Sequence, residues 1–428
     1  GGHRAPVAKG RLLCLLLRIV WPGPQAQYGA RDLPMFAFPR SPRGLVTRAI
    51  ALFSVLWLAA CGGLPAPDGL NTGPRINTDR PVKVALLVPR GSGQAGDDAL
   101  AASLENAARM AIADLQGARI ELSVYPTAGN AGQAAAVAAQ AADEGAKIIL
   151  GPVYAEAANA AGVAVARRNV NVLSFSNNTD IAGGNVFVLG NTFENTADRL
   201  VRHAVRQGKR NILIVSGQDT AEQKGQIAIA RAITRNGASQ AGSVSFELSQ
   251  NGVVQAIPRI TGAAKSSGAD AVFMTSGTAG ALPLLAQLLP ENGLSNADAQ
   301  FIGLQRWDIP VSALELSGLQ GGWFALPSPS LTAQFNARYQ AVNGTLPHPI
   351  SSLAYDGIAA IGALVSAGKS DALTAAALTQ ATGFAGVNGI FRLRRDGTIE
   401  RGLAVATIRD KQVTVIDPAP ASFGGAGF

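Results

Sequence analysis

Cysteine and histidine are nearly missing from this chain, which has two of the first and three of the second in 428 residues. Two cysteines, Cys14 and Cys61, supply neither a disulfide framework nor a zinc-ligand spacing. Of the histidines, His3 lies near the start, His203 falls in a helical stretch, and His348 sits between Pro347 and Pro349. None has a cysteine or a paired acid nearby in sequence to orient it as a base, so each reads as a surface or packed residue. No Walker loop and no G-x-S-x-G elbow occur. The segment Gly91-Ser92-Gly93-Gln94-Ala95-Gly96 lacks the third glycine of a dinucleotide fingerprint and has no acid at the end of the second strand. It reads as a flexible loop. The expectation is a protein without catalytic machinery, metal or cofactor.

Long apolar runs are also scarce. Residues 49–58 are apolar but fall short of the roughly 20 residues that cross a bilayer as a helix. Arg40, Arg43 and Arg48 precede this run, and Leu58-Ala59-Ala60-Cys61 closes it. That order of basic region, apolar core and small residues before a cysteine resembles a bacterial lipobox, with Cys61 the acylated residue and 35–60 the removed signal. Residues 1–34 contain no methionine and read as lying upstream of the natural start at Met35, so they are excluded from fold reasoning. This exclusion changes the charge balance. Eight of the 36 basic residues but only one of the 28 acidic ones precede Cys61, so the rest of the chain carries +1. Nothing there demands nucleic acid. With Cys14 upstream and Cys61 lipidated, the folded part has no disulfide and depends on its core; the remaining length suffices for two ordinary domains.

Residues 61–80, rich in Gly, Pro and Asn, read as a flexible tether. Ordered structure is expected from Pro81, where Val82-Lys83-Val84-Ala85-Leu86-Leu87-Val88 is apolar enough for a strand buried on both faces. Helices at 99–115, 132–144 and 155–168 alternate with strands at 120–125, 147–150 and 170–175. A second set follows: helices at 194–207, 221–236, 253–267 and 279–289, with strands at 211–215, 242–248, 269–275 and 300–303. Such alternation predicts an α/β protein of parallel sheets flanked by helices, in two lobes with a cleft between them. Helices at 332–342 and 351–367 and a tail of antiparallel strands at 390–394, 403–409 and 412–416 complete it. Arg395-Asp396-Gly397 and Asp410-Lys411 supply the turns.

This order of elements resembles the type-I periplasmic binding proteins, particularly the leucine/isoleucine/valine-binding family, over residues 81–418. Gly151-Pro152 after the third strand, the run Val172-Leu173-Ser174-Phe175-Ser176-Asn177-Asn178-Thr179, and Phe301-Ile302-Gly303 look like its ligand segments. Tyr355-Asp356-Gly357 and Gly386-Val387-Asn388-Gly389-Ile390-Phe391 look like its closing region. The resemblance implies an N-terminal lobe of 81–192 and 327–385, a C-terminal lobe of 193–326 and 386–418, and a tail at 419–428. It implies ligand contacts from Tyr154, Ser174, Ser176, Asn177 and Thr179 in one lobe and from Asp219, Gln305, Trp307 and Asp308 in the other. Loops at strand C-termini, where helix N-termini offer free N–H groups, suit that role. Two departures stand out. Gln305 occupies the place of the acid that pairs with an amino acid's ammonium, and an amide cannot neutralise that charge. Tyr154 replaces a small hydroxyl residue and narrows the pocket.

The expected function is therefore a non-catalytic, lipid-anchored periplasmic receptor. Its two lobes would close on a small polar or amino-acid-like ligand and deliver it to an inner-membrane ABC permease. The alternative on the same scaffold resembles the penicillin-binding protein activators, which regulate a peptidoglycan synthase by protein–protein contact. The resemblance to sorted lipoproteins implies that Gly62, a residue other than Asp after the lipidated cysteine, permits transfer to the outer membrane, and the tether suits reaching from a bilayer. Both favour that alternative.

Overall fold

The computed structural model describes residues 73–424; the expected signal, Cys61 and most of the tether lie outside them. The first lobe is built on β1 (Val82–Val88), whose side chains beyond Lys83 are all buried. Around it lie β2 (Ile120–Pro126), β3 (Ile148–Leu150), β4 (Asn171–Ser174) and β5 (Val186–Val188), all parallel, in the order β2-β1-β3-β4-β5. Helix α1 (Asp97–Asp114) covers one face, where Leu86, Leu104 and Leu150 share an apolar cluster. On the other face, α2 (Ala131–Asp143) and α3 (Ala155–Ala166) pack Ala138 and Ala161 against Leu87 and Ile149. Burial on both faces is why these strands read as continuous apolar runs rather than alternating ones. Alanine lets the helices approach closely.

The second lobe repeats this plan. Strands β6 (Asn211–Gly217), β7 (Ser239–Phe246), β8 (Ala271–Met274), β9 (Gln300–Gly303) and β10 (Trp323–Leu326) run parallel in the order β7-β6-β8-β9-β10. That is the first sheet's order renumbered, so β6 corresponds to β1. Helices α4 (Phe193–Arg206) and α5 (Thr220–Arg235) cover one face through Leu200 and Ile229; α6 (Gln250–Ser267) and α7 (Leu282–Glu291) cover the other through Ile257 and Leu285. Side-chain caps start several of these helices: Thr192 for α4, Asp219 for α5 and Ser249 for α6 each accept a backbone N–H.

After β10 the chain returns to the first lobe. There α8 (Pro329–Asn343) and α9 (Ser352–Ser366) add Phe335, Tyr339 and Ile361 to its core, and the short α10 (Ala375–Leu378) adds Leu378. A small antiparallel sheet follows, β11 (Phe384–Gly386), β12 (Gly389–Leu393) and β13 (Ile399–Arg401). Its Phe384, Phe391 and Ile399 belong to the first lobe's apolar cluster. The chain then enters β14 (Ala404–Arg409) and β15 (Gln412–Asp417), which extend the second sheet antiparallel to β10.

The tail corrects the sequence reading in one respect. The strand expected at 390–394 pairs with β11 and β13, not with 403–409, and the expected lobe boundary at 385/386 falls inside β11. The turn at Arg395-Asp396-Gly397 is real, with Gly397 at φ 80°. It leads only into three residues of β13, too few to carry a periodic signal.

The end of β15 is tied to α4. Asp417 Oδ2 lies 2.8 Å from Arg199 and 2.9 Å from His203 Nδ1, and it also pairs with Arg206. His203 itself is buried, edge-on to Trp323 at 4.8 Å between ring centres, so it is a packed residue. Burial alone would raise the Asp417 carboxyl. Hydrogen bonds from Arg199 and His203, with the charges of Arg199 and Arg206, outweigh it and hold the group at about 2 instead of 3.8. A depressed carboxylate stabilises the fold above its unfolded value and loses that contribution as pH falls through the folded one. The melting temperature should therefore fall from about pH 4 to about pH 2, and Asp417→Asn should flatten that fall. An unchanged slope would remove this cluster as its source.

Candidate functional site

The loops beyond the C-terminal ends of β1, β3 and β4 form one wall of the candidate site. Gly151, at φ 89°, passes so close to β1 that a Cβ would stand 2.3 Å from the Leu87 carbonyl, so only glycine fits. The loop it opens carries Tyr154, whose hydroxyl donates to Asp97 Oδ1 at 2.6 Å. Ser92 donates to the other oxygen of Asp97 at 2.7 Å. Asp97 is buried in the first turn of α1, where the helix N-terminus favours a carboxylate. The hydrogen bond to Asp97, burial and the nearby negative charge push the Tyr154 phenol up to about 12, so it remains a donor at neutral pH.

The serines expected at the end of β4 are turned inward. Ser174 is buried, donates to the Pro152 carbonyl at 3.0 Å, and accepts the Ser176 N–H at 3.0 Å. Ser176 Oγ accepts the Asn178 N–H at 3.1 Å. Both therefore shape the loop, while Asn177 is left exposed. Thr179 donates to Glu194 Oε1 at 3.1 Å and lines a different cavity, described below.

In the second lobe the corresponding wall lies beyond β6, β8 and β9. Asp219 caps α5 with Oδ1, accepting the N–H groups of Ala221 and Glu222, and its Oδ2 is buried without a protein partner. Glu222, itself buried, follows three residues later. Its Oε2 accepts the Gly217 N–H and the hydroxyls of Thr275 and Ser276, the last two at 2.8 Å. No described residue donates to Oε1. Gln305 is exposed and donates to the Thr275 carbonyl at 3.0 Å, alongside Gly277. Asp308 is neutralised locally by Arg306, at 2.8 Å between Oδ1 and Nε.

Trp307 is not in the site. It is fully buried, stacked on Phe324 at 6.2 Å and lying over Gly303 and Gly322, and its indole N–H has no partner. Lys224 of α5 links the walls, pairing with Asp180 and donating to Asn178 Oδ1 at 3.3 Å.

Sequence reasoning missed Asp97, Glu222 and Lys224. Glu222 could have been found, because Asp219-Thr220-Ala221-Glu222 before an apolar-periodic stretch has the spacing of a capping box. Asp97 and Glu222 occupy the same place in the two lobes, the first turn of the helix that follows β1 and β6 respectively.

Two sheets that share one order of five parallel strands, each covered on both faces and joined by three crossings near residues 190, 327 and 402, define a two-lobe type-I periplasmic binding protein fold. The chain belongs to the periplasmic binding protein family, whose sequence model matches residues 81–412. Among solved structures it is similar to a branched-chain amino acid ABC transporter periplasmic ligand-binding protein of Burkholderia xenovorans, at 19% identity and TM-score 0.63, covering 79% of this chain and 96% of that one. A Desulfitobacterium hafniense ABC transporter substrate-binding protein in complex with Leu matches at 17% identity and TM-score 0.58, over 79% and 100% of the two chains. A Rhodopseudomonas palustris solute-binding protein holding 3,4-dihydroxybenzoic acid matches at 16% identity and TM-score 0.54, over 80% and 98%. No curated relative matches the chain at a significant level.

Proposed function

We propose that this protein is the solute receptor of an ABC importer of the branched-chain amino acid type, holding a small amino-acid-like ligand between its lobes. The observation that carries this reading is Glu222. It is a buried carboxylate in the first turn of α5, just beyond β6, one oxygen held by three donors and the other without a donor among the described residues. In this reading Glu222 takes the ligand's ammonium, the task for which Gln305 is chemically unsuited. The Asp97–Tyr154 pair and the loop at 175–179 face the rest of the ligand. Ser174 and Ser176 support that loop instead of touching the ligand.

Neighbours of this fold hold leucine in one case and a dihydroxybenzoate in another. The scaffold thus leaves the choice of ligand to its loops. We divide the lobes at the three crossings, which assigns residues 386–401 to the first lobe. Export and acylation at Cys61 would anchor the protein at the periplasmic face of a membrane, and an acylated N-terminal cysteine in the mass spectrum of the exported protein is the direct check.

Calorimetric titration with the common L-amino acids and their decarboxylated amines tests the receptor reading. At least one should bind, and Glu222→Gln should weaken it about 10- to 100-fold, as loss of a charged hydrogen bond does. If none binds the receptor reading fails, and if Glu222→Gln binds normally Glu222 is not the ammonium site.

A further inference from the structure

A cavity of about 620 Å³ is lined by Thr179 and Glu194 together with residues of α4, α5 and the turn after β12. This volume is in the range of small-ligand pockets, and none of the loops around Glu222 lines it. Its floor holds two buried arginines fixed by backbone carbonyls: Arg199 donates to Leu403 O at 2.7 Å, and Arg401 donates to Leu189 O at 2.9 Å. Its walls carry Arg202, Arg231 and Arg235 from α4 and α5, facing Arg394 from the turn after β12.

The lining carries a surplus of one cation, six arginines against five carboxylates. Asp198 is shared by Arg202 and Arg235, Glu400 by Arg392 and Arg394, and Asp417 by Arg199 and Arg206. Arg231 has no hydrogen-bond or ion-pair partner among the described residues. The guanidiniums of Arg235 and Arg394 each make a single hydrogen bond, to Asp198 and Glu400, so the rest of each fork has no partner among the described residues, and such forks suit carboxylate or phosphate oxygens. Carboxylates are present too: Asp180 is paired with Lys224, Glu194 accepts from Thr179, and Asp396 accepts from Thr398 at 2.6 Å.

We propose that this cavity binds a small multiply charged oxyanion, held chiefly by Arg231, Arg235 and Arg394. Because α4 and α5 belong to the second lobe and Arg394 to the first, the anion touches both. Its binding is thermodynamically linked to their relative position and so to ligand affinity in the cleft.

The test uses inorganic pyrophosphate and citrate as probes, titrated calorimetrically into the full chain at low and moderate salt. One probe or both should bind once per chain, pyrophosphate alone indicating a phosphate site and citrate alone a carboxylate site. Arg231→Glu should weaken binding at least tenfold without lowering the melting temperature, since Arg231 holds no partner. Glu222→Gln should leave anion binding unchanged, which separates this site from the cleft. The proposal is overturned if neither probe saturates at millimolar concentration. It is equally overturned if Arg231→Glu binds as wild type, or if the remote Arg75→Glu weakens binding as much.

Discussion

Replacing Asp356 by alanine is expected to destabilise the protein by about 3–5 kcal/mol, the range for removing one partner of a buried ion pair. Asp356 is wholly buried on α9, and Arg401, at the end of β13, is 3% exposed. Asp356 Oδ2 meets Arg401 at 2.8 Å, while Oδ1 accepts the Val387 N–H at 2.8 Å. The guanidinium lies over the Phe391 ring at 4.9 Å and also donates to the Leu189 carbonyl. Leu189 and Arg401 stand at the first and last crossings between the lobes, so this pair fixes two of the three connections. Alanine at 356 would leave a guanidinium charge in the core with no anion to balance it. The double replacement Asp356→Leu with Arg401→Met removes both charges and should cost clearly less than the single change. Urea unfolding of the parent and the two variants decides it: an Asp356→Ala protein within about 1 kcal/mol of the parent, a figure at the scale of an exposed pair, would show that the pair contributes little.

The second large effect is expected at Trp307. Truncation to alanine should cost about 3–5 kcal/mol, as for other buried aromatic residues. Affinity for the cleft ligand should remain within a few-fold of the parent, because no part of the ring reaches the cleft. The space around it is closely matched: a Cβ on Gly303 would stand 2.1 Å from the indole nitrogen, and one on Gly322 would stand 2.3 Å from the ring. Trp307→Phe should cost much less than alanine, since it keeps most of the apolar volume and removes a buried N–H that makes no hydrogen bond. Denaturant midpoints read with ligand titrations separate these outcomes. A Trp307→Ala protein that is stable but no longer binds ligand would return this residue to the site.

How far the site could be read from sequence depends on the residue. Gln305 and Asp219 were placed correctly at strand ends, because those ends follow from where apolar runs stop. Trp307, two residues beyond Gln305, was placed with them, yet the chain turns there and the indole drops between Gly303 and Gly322. Sequence distance from a strand end carries no information about the direction of a side chain in an irregular loop. Ser174 and Ser176 illustrate the same limit, since a hydroxyl at a loop can face a ligand or close the loop on itself. Asp308, expected at the ligand, is satisfied by Arg306, because two residues of separation already bring the groups within reach.

By itself the sequence determined the α/β class, the repeated two-lobe order of strands and helices, and the scarcity of cysteine and histidine. All of these follow from local composition and from periodicities of a few residues, which survive without any knowledge of distant partners. Only the tertiary structure decided that β12 pairs with β13 instead of joining the second sheet. The same holds for the burial of Trp307 and for the equivalent places of Asp97 and Glu222 at the two cleft walls. It holds too for the arginines of α4, α5 and the turn after β12 that converge on one cavity. The pair at the crossings joins residues 45 positions apart, and the cluster on Asp417 spans more than 200. Contacts over such separations are selected by burial and charge compensation in the folded chain, and no local pattern records them.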